Sequence, residues 1–443
     1  MAKYFGTDGV RGVANKQLTA NLAYRIGRFI GYFENGKKNR VLIARDTRLS
    51  GEFLSQAVSS GVVSSGSDAY VLGVSTTPSV SYLVRKYNFD FGVMISASHN
   101  PYYDNGIKVF NSKGEKLEAD IEELIEKYID EDEDSIPLAI NEKIGRYPEC
   151  QSLIDDYVEF LVSKASNKMA GMKVLLDCSN GSACSIIHKL VDRLALDATI
   201  INCSPNGINI NDRCGSTHIE MLSKQVLEGN YDVAFAFDGD ADRCLAMDGS
   251  GKVINGDGIM YLSGLYLKKN GQLNKDTIVL TVMSNIGLKI ALKENNISIA
   301  EVGVGDKYVQ AEMKKNDYSL GGEQSGHIIF LEDMNTGDGL LTMIKVLNVI
   351  AEENKSIDEL TKDLVIYPQM LKNITVPNKE AILTHEGFLA RINEHEQSLK
   401  GEGRILVRPS GTEPLIRVMC EAKTIEKCEE ICDDLISYIS EII

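Results

Sequence analysis

Along this chain, apolar runs of strand length keep ending in polar turns, and each is followed by a segment long enough for a helix. "RVLIARD" (40–46) runs into "TRLSG", "KVLLDCSNGS" (173–182) has the same form, and so does "DTIVLTVMSN" (276–285). Strand-length runs alternating with helical segments predict α/β units with parallel strands and crossover helices. "ADIEELIEKYID" fits a helix, with Ile121, Leu124, Ile125, Tyr128 and Ile129 at helical spacing. Its acidic continuation "DEDEDS" (130–135) reads as a solvated helix end and linker. The composition is 43% hydrophobic and 25% charged, a globular balance, and 443 residues suffice for several cores. The expected divisions are 1–153, 154–255 and 256–368, each α/β, and 369–443, a smaller α+β unit. The last holds the strand-like "GRILVRPSGTEPLIRVMCEA" and a terminal helix with Ile425, Cys428, Cys432, Leu435 and Ile439 on its apolar face.

A formal net charge of −16 argues against broad nucleic-acid binding, which needs a basic face. A small anionic substrate stays open, provided its positive partners are few and locally gathered. The nine cysteines show neither a CxxC pair nor a zinc spacing, and an odd count in a long chain fits reduced thiols in a cytoplasm. "MAKYFGTDGV" has no basic stretch leading into an apolar run, and no segment reaches the ~18 apolar residues of a membrane span. A soluble cytoplasmic protein with no membrane partner is the expectation.

Ligands of open α/β sheets gather at the C-terminal ends of strands, so the loops after apolar runs are where chemistry is sought. In "VAFAFDGDADRC" (233–244), Asp238, Asp240 and Asp242 alternate directly after a strand-like run. Three carboxylates this close repel unless a cation neutralises them, and hard oxygen ligands suit Mg²⁺. An EF-hand is excluded, because its twelfth loop position is Gly249 here instead of Glu. Arg243 follows and suits a phosphate oxygen. "VRPSGTEPLIR" (407–417) gathers Arg408, Ser410, Gly411, Thr412 and Arg417, the forks, hydroxyls and backbone N–H groups an oxyanion needs. "GGEQSGH" (321–327) sets Glu323, Ser325 and His327 in a Gly-flanked loop, where a carboxylate can accept from two neighbouring sugar hydroxyls. "FGTDGVRG" (5–12) offers Thr7, Arg11 and backbone amides to a phosphate. "DGSGKV" (248–253) lacks P-loop spacing and reads as a hairpin turn.

"FGVMISASHNPYYDNGIKVF" (91–110) poses a different question, because Ser98 stands beside His99. Neighbours in an extended chain point apart, so His99 is expected to be a poor base for Ser98, and no G-x-S-x-G elbow is present. A plain loop and a phosphoryl carrier remain. A carrier needs a nearby metal, cationic phosphate clamps and a proton shuttle, and the Asp triplet, Arg408 with Arg417, and Lys108 or His99 offer these. Ser96 is the expected bystander.

Together, "ISASHNPYYDNGIKVF", "FDGDADRC", "GGEQSGH" and "RPSGTEPLIRV", in this order and after "FGTDGVRG", resemble the α-D-phosphohexomutase superfamily over residues 4 to about 420. "NINDRCGSTHIE" (209–220) and the Gln of "GEQSGH" resemble its amino-sugar branch more than the phosphomannomutase/phosphoglucomutase branch, which is the alternative. The resemblance implies a four-domain architecture: three related α/β domains and a smaller C-terminal α+β domain similar to TATA-binding-protein folds. Each domain would contribute one loop, in turn the phosphoserine, metal, sugar and phosphate loops. It implies that Ser98 is phosphorylated and, with Asp238, Asp240 and Asp242, holds Mg²⁺. Arg243 would contact phosphate, and Lys108 and His99 would be the acid–base groups, with roles left open. Glu323 and Ser325 would hold sugar hydroxyls, supported by His327. Thr7, Arg11, Arg408, Ser410, Gly411, Thr412 and Arg417 would bind phosphate, and Lys307 would reach substrate.

The implied reaction is an isomerisation of glucosamine 6-phosphate and glucosamine 1-phosphate, supplying cell-wall precursors through a glucosamine (or glucose) 1,6-bisphosphate that turns over in place. It also implies movement of residues about 370–443 to exclude water. A Mg²⁺-dependent phosphatase and a non-catalytic sugar-phosphate binder are the readings from other classes. A homodimer is left open.

Overall fold

The computed structural model of the protein describes residues 3–6, 8–410 and 414–443. Thr7, Gly411 and Thr412, named above as binding residues, lie outside the described residues. The chain forms two compact units, Met1–Met283 with Ile297–Thr361, and Ser284–Asn296 with Lys362–Ile443.

The first unit carries three sheets. The six-stranded sheet runs in the order Phe5–Gly6, Gly9–Val13, Asp104–Phe110, Phe91–Ile95, Arg40–Arg45, Asp68–Val74. The five-stranded sheet runs Val253–Ile254, Cys244–Asp248, Val233–Phe237, Lys173–Asp177, Asp197–Ile201. The four-stranded sheet runs Ser298–Val302, Thr277–Thr281, Leu320–Gly322, Ile328–Phe330.

One arrangement recurs in all three. Arg40–Arg45, Lys173–Asp177 and Thr277–Thr281 each lie parallel to both of their neighbours. In each sheet one of those neighbours then turns straight back as an antiparallel strand. The expectation of parallel strands therefore holds at the sheet centres and is corrected at one side. The reason is loop length: residues 96–103, 238–243 and 323–327 are too few for the crossover of a dozen or more residues that a parallel return requires. Those three loops are the ones singled out in the sequence. Phe91–Ile95, Val233–Phe237 and Thr277–Thr281 are buried along their whole length, as strands covered on both faces must be.

The covering helices follow local signals. Ala20–Gly36 begins at Thr19, whose Oγ1 accepts the Leu22 N–H at 3.2 Å, and packs against Gly51–Ser64. A Cβ on Gly27 would stand 2.1 Å from the Val58 carbonyl oxygen, so glycine lets these helices approach. The expected helix after residue 118 is Ala119–Ile129, with Ile125 and Tyr128 buried and Leu124 left exposed.

The second unit is α+β. Its antiparallel sheet has the order Gln369–Thr375, Leu415–Glu421, Arg404–Pro409. Helix Ile425–Ile442 buries Cys428, Ile431, Cys432, Leu435 and Ile439. Ile425, expected on that face, opens the first turn after the Thr424 cap and is exposed. Helix Ile286–Glu294 joins this unit: Asn285 Nδ2 donates to the Tyr367 carbonyl at 2.9 Å and the Ile286 N–H to Glu421 Oε2 at 2.9 Å. Among the described residues, no helix is long and apolar enough to cross a membrane.

Candidate active site

The loop after Phe91–Ile95 is held from below by a buried ion pair. Asp46 and Arg48 are 0% and 1% exposed, and Arg48 Nε donates to Asp46 Oδ2 at 2.8 Å. Arg48 Nη2 then donates to the carbonyl oxygens of Ser98 (2.8 Å) and Asn100 (2.9 Å). Asn211 Nδ2 donates to the same two carbonyls, at 2.9 and 3.1 Å. Ser96 is a brace: its hydroxyl donates to Asp46 Oδ2 at 2.6 Å and accepts the Ser98 N–H at 2.9 Å.

This grip sets Ser98 at φ 51°, in the left-handed region. The neighbour rule for extended chain therefore fails here, and the expectation that His99 points away from Ser98 is corrected. His99 Nδ1 lies 3.3 Å from Ser98 Oγ. Burial, with Arg243 and Arg11 nearby, pushes the His99 ring down to about 4, so it is neutral at pH 7.

Ser98 Oγ also donates to Asp238 Oδ2 at 2.5 Å. Asp238, Asp240 and Asp242 are all buried, with one oxygen of each lying within 4.8 Å of the others. Gly239 permits the approach of the two loops: a Cβ there would stand 2.5 Å from the Ser98 carbonyl oxygen. Burial and the two neighbouring carboxylates push Asp238 well above the usual range. Among the described residues, Oδ1 of Asp240 and Oδ1 of Asp242 are buried without a hydrogen-bond partner. Buried, unpartnered carboxylate oxygens facing one another fit a hard divalent cation, and Mg²⁺ suits an all-oxygen set.

Lys108 meets the triplet directly, and further cations gather on its neighbour Asp8. Lys108 Nζ, on the returning strand, lies 2.7 Å from Asp240 Oδ2, 3.0 Å from Asp8 Oδ2 and 3.5 Å from Asp242 Oδ2. Burial opposes its charge, but Asp240, Asp8 and Asp242 outweigh burial and hold its pKa well above the ordinary value. Asp8 also meets Arg11 at 2.5 Å and Lys116 at 2.8 Å, and Lys116 reaches Asp306 at 2.7 Å. Thr77 Oγ1 donates to Asp240 Oδ2 at 2.5 Å from the first turn of helix Thr77–Tyr87. Asp8, Lys116, Asp306 and Thr77 escape sequence reading because a lone charge or hydroxyl carries no sign of a partner a hundred residues away. The weak signals were the Asp inside "GTDG" and the helix-opening "TTP".

His327 Nδ1 lies 3.7 Å from Asp242 Oδ2, while Nε2 accepts the Gly337 N–H at 3.1 Å. Burial lowers its pKa, but Asp242, Asp306 and Glu323 prevail and raise it to about 9. A cation on the Asp loop would cancel much of that pull and favour the neutral ring that the Gly337 N–H requires.

Asp8, Arg11, His99, Asp242 and His327 line a cavity of about 410 Å³ together with Arg243, Gly305 and Glu323, while Ser98, Lys108, Asp238 and Asp240 are buried and are not part of its lining. Glu323 Oε1 accepts the Gly305 N–H at 3.1 Å, and Oε2 stands 3.5 Å from the Ser325 hydroxyl. Neither Ser325 nor Lys307 lines this cavity; Lys307 is exposed, with Nζ 5.3 Å from the Tyr308 ring centre. In the second unit, Arg408 and Arg417 stand opposite each other on paired strands. Burial and then Arg417 lower the Arg408 pKa, the mark of two cations sharing one place. Ser410 is buried, and its carbonyl accepts Lys379 Nζ at 2.7 Å.

Four models of the phosphoglucomutase/phosphomannomutase family match: α/β/α domain I at residues 2–135, domain II at 155–251, domain III at 255–367 and the C-terminal domain at 371–437. The phosphoglucosamine mutase of Clostridium beijerinckii is 47% identical over 99% of both chains. That of Acetivibrio thermocellus is 48% identical over 100% of this chain and 99% of its own. A phosphoglucomutase/phosphomannomutase family protein from Burkholderia thailandensis has the same fold, with TM-score 0.79 and 23% identity over 98% of this chain and 96% of its own. So has Aspergillus fumigatus N-acetylphosphoglucosamine mutase, solved with GlcNAc-6P and magnesium, with TM-score 0.71 and 18% identity over 99% of this chain and 96% of its own. With four matching domains and relatives this similar from end to end, the chain belongs to the phosphoglucosamine mutase family of isomerases, within the α-D-phosphohexomutase superfamily.

Proposed function

We propose that this chain interconverts glucosamine 6-phosphate and glucosamine 1-phosphate, with Ser98 as a reusable phosphoryl carrier. The observation that carries the reading is the 2.5 Å contact between Ser98 Oγ and Asp238 Oδ2. A phosphoryl group on that oxygen stands at the edge of the Asp triplet and beside the cavity. Asp238, Asp240, Asp242 and the phosphoserine would hold Mg²⁺, which would offset negative charge on the transferring group.

The chain's own groups do the rest. His99, at the cavity wall, takes the proton of the attacking sugar hydroxyl as the bond from phosphorus to Ser98 Oγ breaks and a bond to the sugar oxygen forms. Lys108 balances the charge of the Asp loop. The bound 1,6-bisphosphate turns over, and Ser98 accepts the other phosphoryl group, with the proton returned to the departing sugar oxygen. Glu323 Oε2 accepts from sugar hydroxyls, assisted by Ser325 and supported by His327. Arg11 and Arg243 meet phosphate in the cavity. Arg408, Ser410 and Arg417 bind the phosphate that is not reacting, and Thr7, Gly411, Thr412 and Lys307 complete the binding set. The divisions 1–153, 154–255, 256–368 and 369–443 give each domain one of these loops. A cytoplasmic location belongs to the same reading.

A structural relative in complex with glucose 1,6-bisphosphate supports the intermediate. The test is a coupled assay with glucosamine, glucose and mannose phosphates side by side. Glucosamine phosphate should be preferred, Ser98→Ala should lose nearly all turnover, and the phosphopeptide should carry its phosphate on Ser98. Preference for another sugar, free phosphate as the main product, or phosphate on Ser96 would each overturn a stated part.

A further inference from the structure

The fold gathers a second group of metal-ligating side chains that the mutase chemistry does not use. Cys178 follows strand Lys173–Asp177, Cys184 lies in the short helical turn Ser182–Ser185, and Cys203 follows strand Asp197–Ile201. Their three sulfur atoms lie within 4.8 Å of one another. His188, in helix Ile187–Leu194, brings Nε2 to 3.9 Å from Cys203 Sγ. None of the three thiols is in a disulfide. In the sequence the spacing is C-x5-C-x3-H-x14-C, which matches no familiar zinc pattern; the cluster arises because the two strands are parallel neighbours and their C-terminal ends meet.

We propose that Cys178, Cys184, Cys203 and His188 form a Cys₃His site for a zinc ion. A tetrahedral zinc with bonds of about 2.3 Å to sulfur and about 2.0 Å to nitrogen holds its ligand atoms roughly 3.5–3.8 Å apart. The three sulfurs, within 4.8 Å of one another, contract to reach that spacing, and the His188 ring, whose Nε2 stands 3.9 Å from Cys203 Sγ, turns to close the fourth position. Mixed sulfur and nitrogen donors select zinc over magnesium, which takes oxygen. A four-iron cluster would need its thiolates farther apart, with the inorganic core between them. Binding converts thiols to thiolates and releases their protons to solvent, so affinity rises with pH.

The site's position gives it a task. Cys178, Asn180 and Cys184 already meet the end of strand Asp197–Ile201 and the residue after it: the Cys178 and Asn180 N–H groups donate to the carbonyls of Ile201 (3.2 Å) and Asn202 (2.6 Å), and Cys184 Sγ lies 3.8 Å from the Asn202 carbonyl. The Ser182 N–H donates to the Gly239 carbonyl at 2.8 Å, inside the Asp loop. Zinc would therefore pin the edge strand Asp197–Ile201 and the turn that braces the Asp triplet, acting as a structural ion.

The experiment uses the full chain, reduced, stripped with a chelator and held in excess Mg²⁺ to occupy the carboxylate site. Titration with Co²⁺ should give thiolate-to-cobalt charge-transfer bands that saturate at one equivalent and are bleached by Zn²⁺. Cys184→Ser and Cys203→Ser should each lose those bands, and His188→Ala should shift them and weaken binding. A parallel measurement needs no variant: iodoacetamide should label Cys184 and Cys203 in stripped protein and spare them once zinc is added. Absent bands, bands that survive unchanged in Cys184→Ser or Cys203→Ser, equal labelling with and without zinc, or a Cys184–Cys203 disulfide that forms despite zinc would overturn the proposal.

Discussion

Ser98 is fixed by its carbonyl as much as by its hydroxyl. The forks of Arg48 and Asn211 on that carbonyl hold φ at 51°, a region where a β-branched side chain is an outlier. Threonine is an equally good phosphoryl acceptor chemically, yet the backbone excludes it. Ser98→Thr should lower stability by about 1–3 kcal/mol, measured by denaturant unfolding, and reduce turnover at least about a hundredfold. Wild-type turnover in that variant would show that the loop tolerates another conformation. Ser98 and the three aspartates are legible in the sequence because their type and spacing already imply a charge problem and its solution. The contact of His99 with Ser98 is not legible, because a single left-handed residue reverses the neighbour geometry and no residue type announces it. The roles of Ser96 and Asp8 are likewise hidden, since each depends on a partner brought in from a distant strand.

At the scale of elements, a parallel strand, a functional loop and an antiparallel return recur in three sheets, and the sequence shows this as apolar run, polar turn, apolar run. Alternation of the runs predicts the sheets; it does not predict the direction of the return, which loop length decides. Two loops of this kind meet at Gly239. Gly239→Ala should push a methyl into the Ser98 carbonyl, cost about 1–3 kcal/mol of stability and raise the Mg²⁺ concentration needed for half-maximal turnover. An unchanged magnesium titration would show that the loops do not rely on this contact. A different element carries a pH signature. Asp338 caps helix Gly339–Glu353, accepting the Leu341 N–H at 3.0 Å and the Tyr157 hydroxyl at 2.8 Å. Burial pushes its carboxyl up to about 7, so the folded protein holds a proton that the unfolded chain releases near 4. That stabilisation is complete below pH 4 and is lost as pH rises through 7. Asp338→Asn, which keeps the cap, should gain stability relative to wild type between pH 4 and 8; parallel pH profiles for the two proteins would refute the assignment.

At the scale of the whole molecule, both units have their own cores; the sequence divides the chain at 153, 255 and 368, and the second unit takes Lys362–Ile443 together with Ser284–Asn296. The exception is Ile286–Glu294, an ordinary amphipathic helix whose sequence says nothing about which core it will join. The Ser98 loop is anchored at both ends by paired strands and gripped from beneath by a buried arginine. As the proposed carrier, Ser98 cannot travel, so the sugar must do the moving while no covalent bond ties it to the enzyme. Every bisphosphate that escapes in that interval leaves behind an enzyme with no phosphoryl group to give. With the proposed phosphoserine mechanism the mutase would have a processivity, a number of turnovers between losses, and its activity should decay on dilution and return when glucose 1,6-bisphosphate is added. Activity that stays constant through dilution, with no added bisphosphate, would mean that the intermediate never leaves.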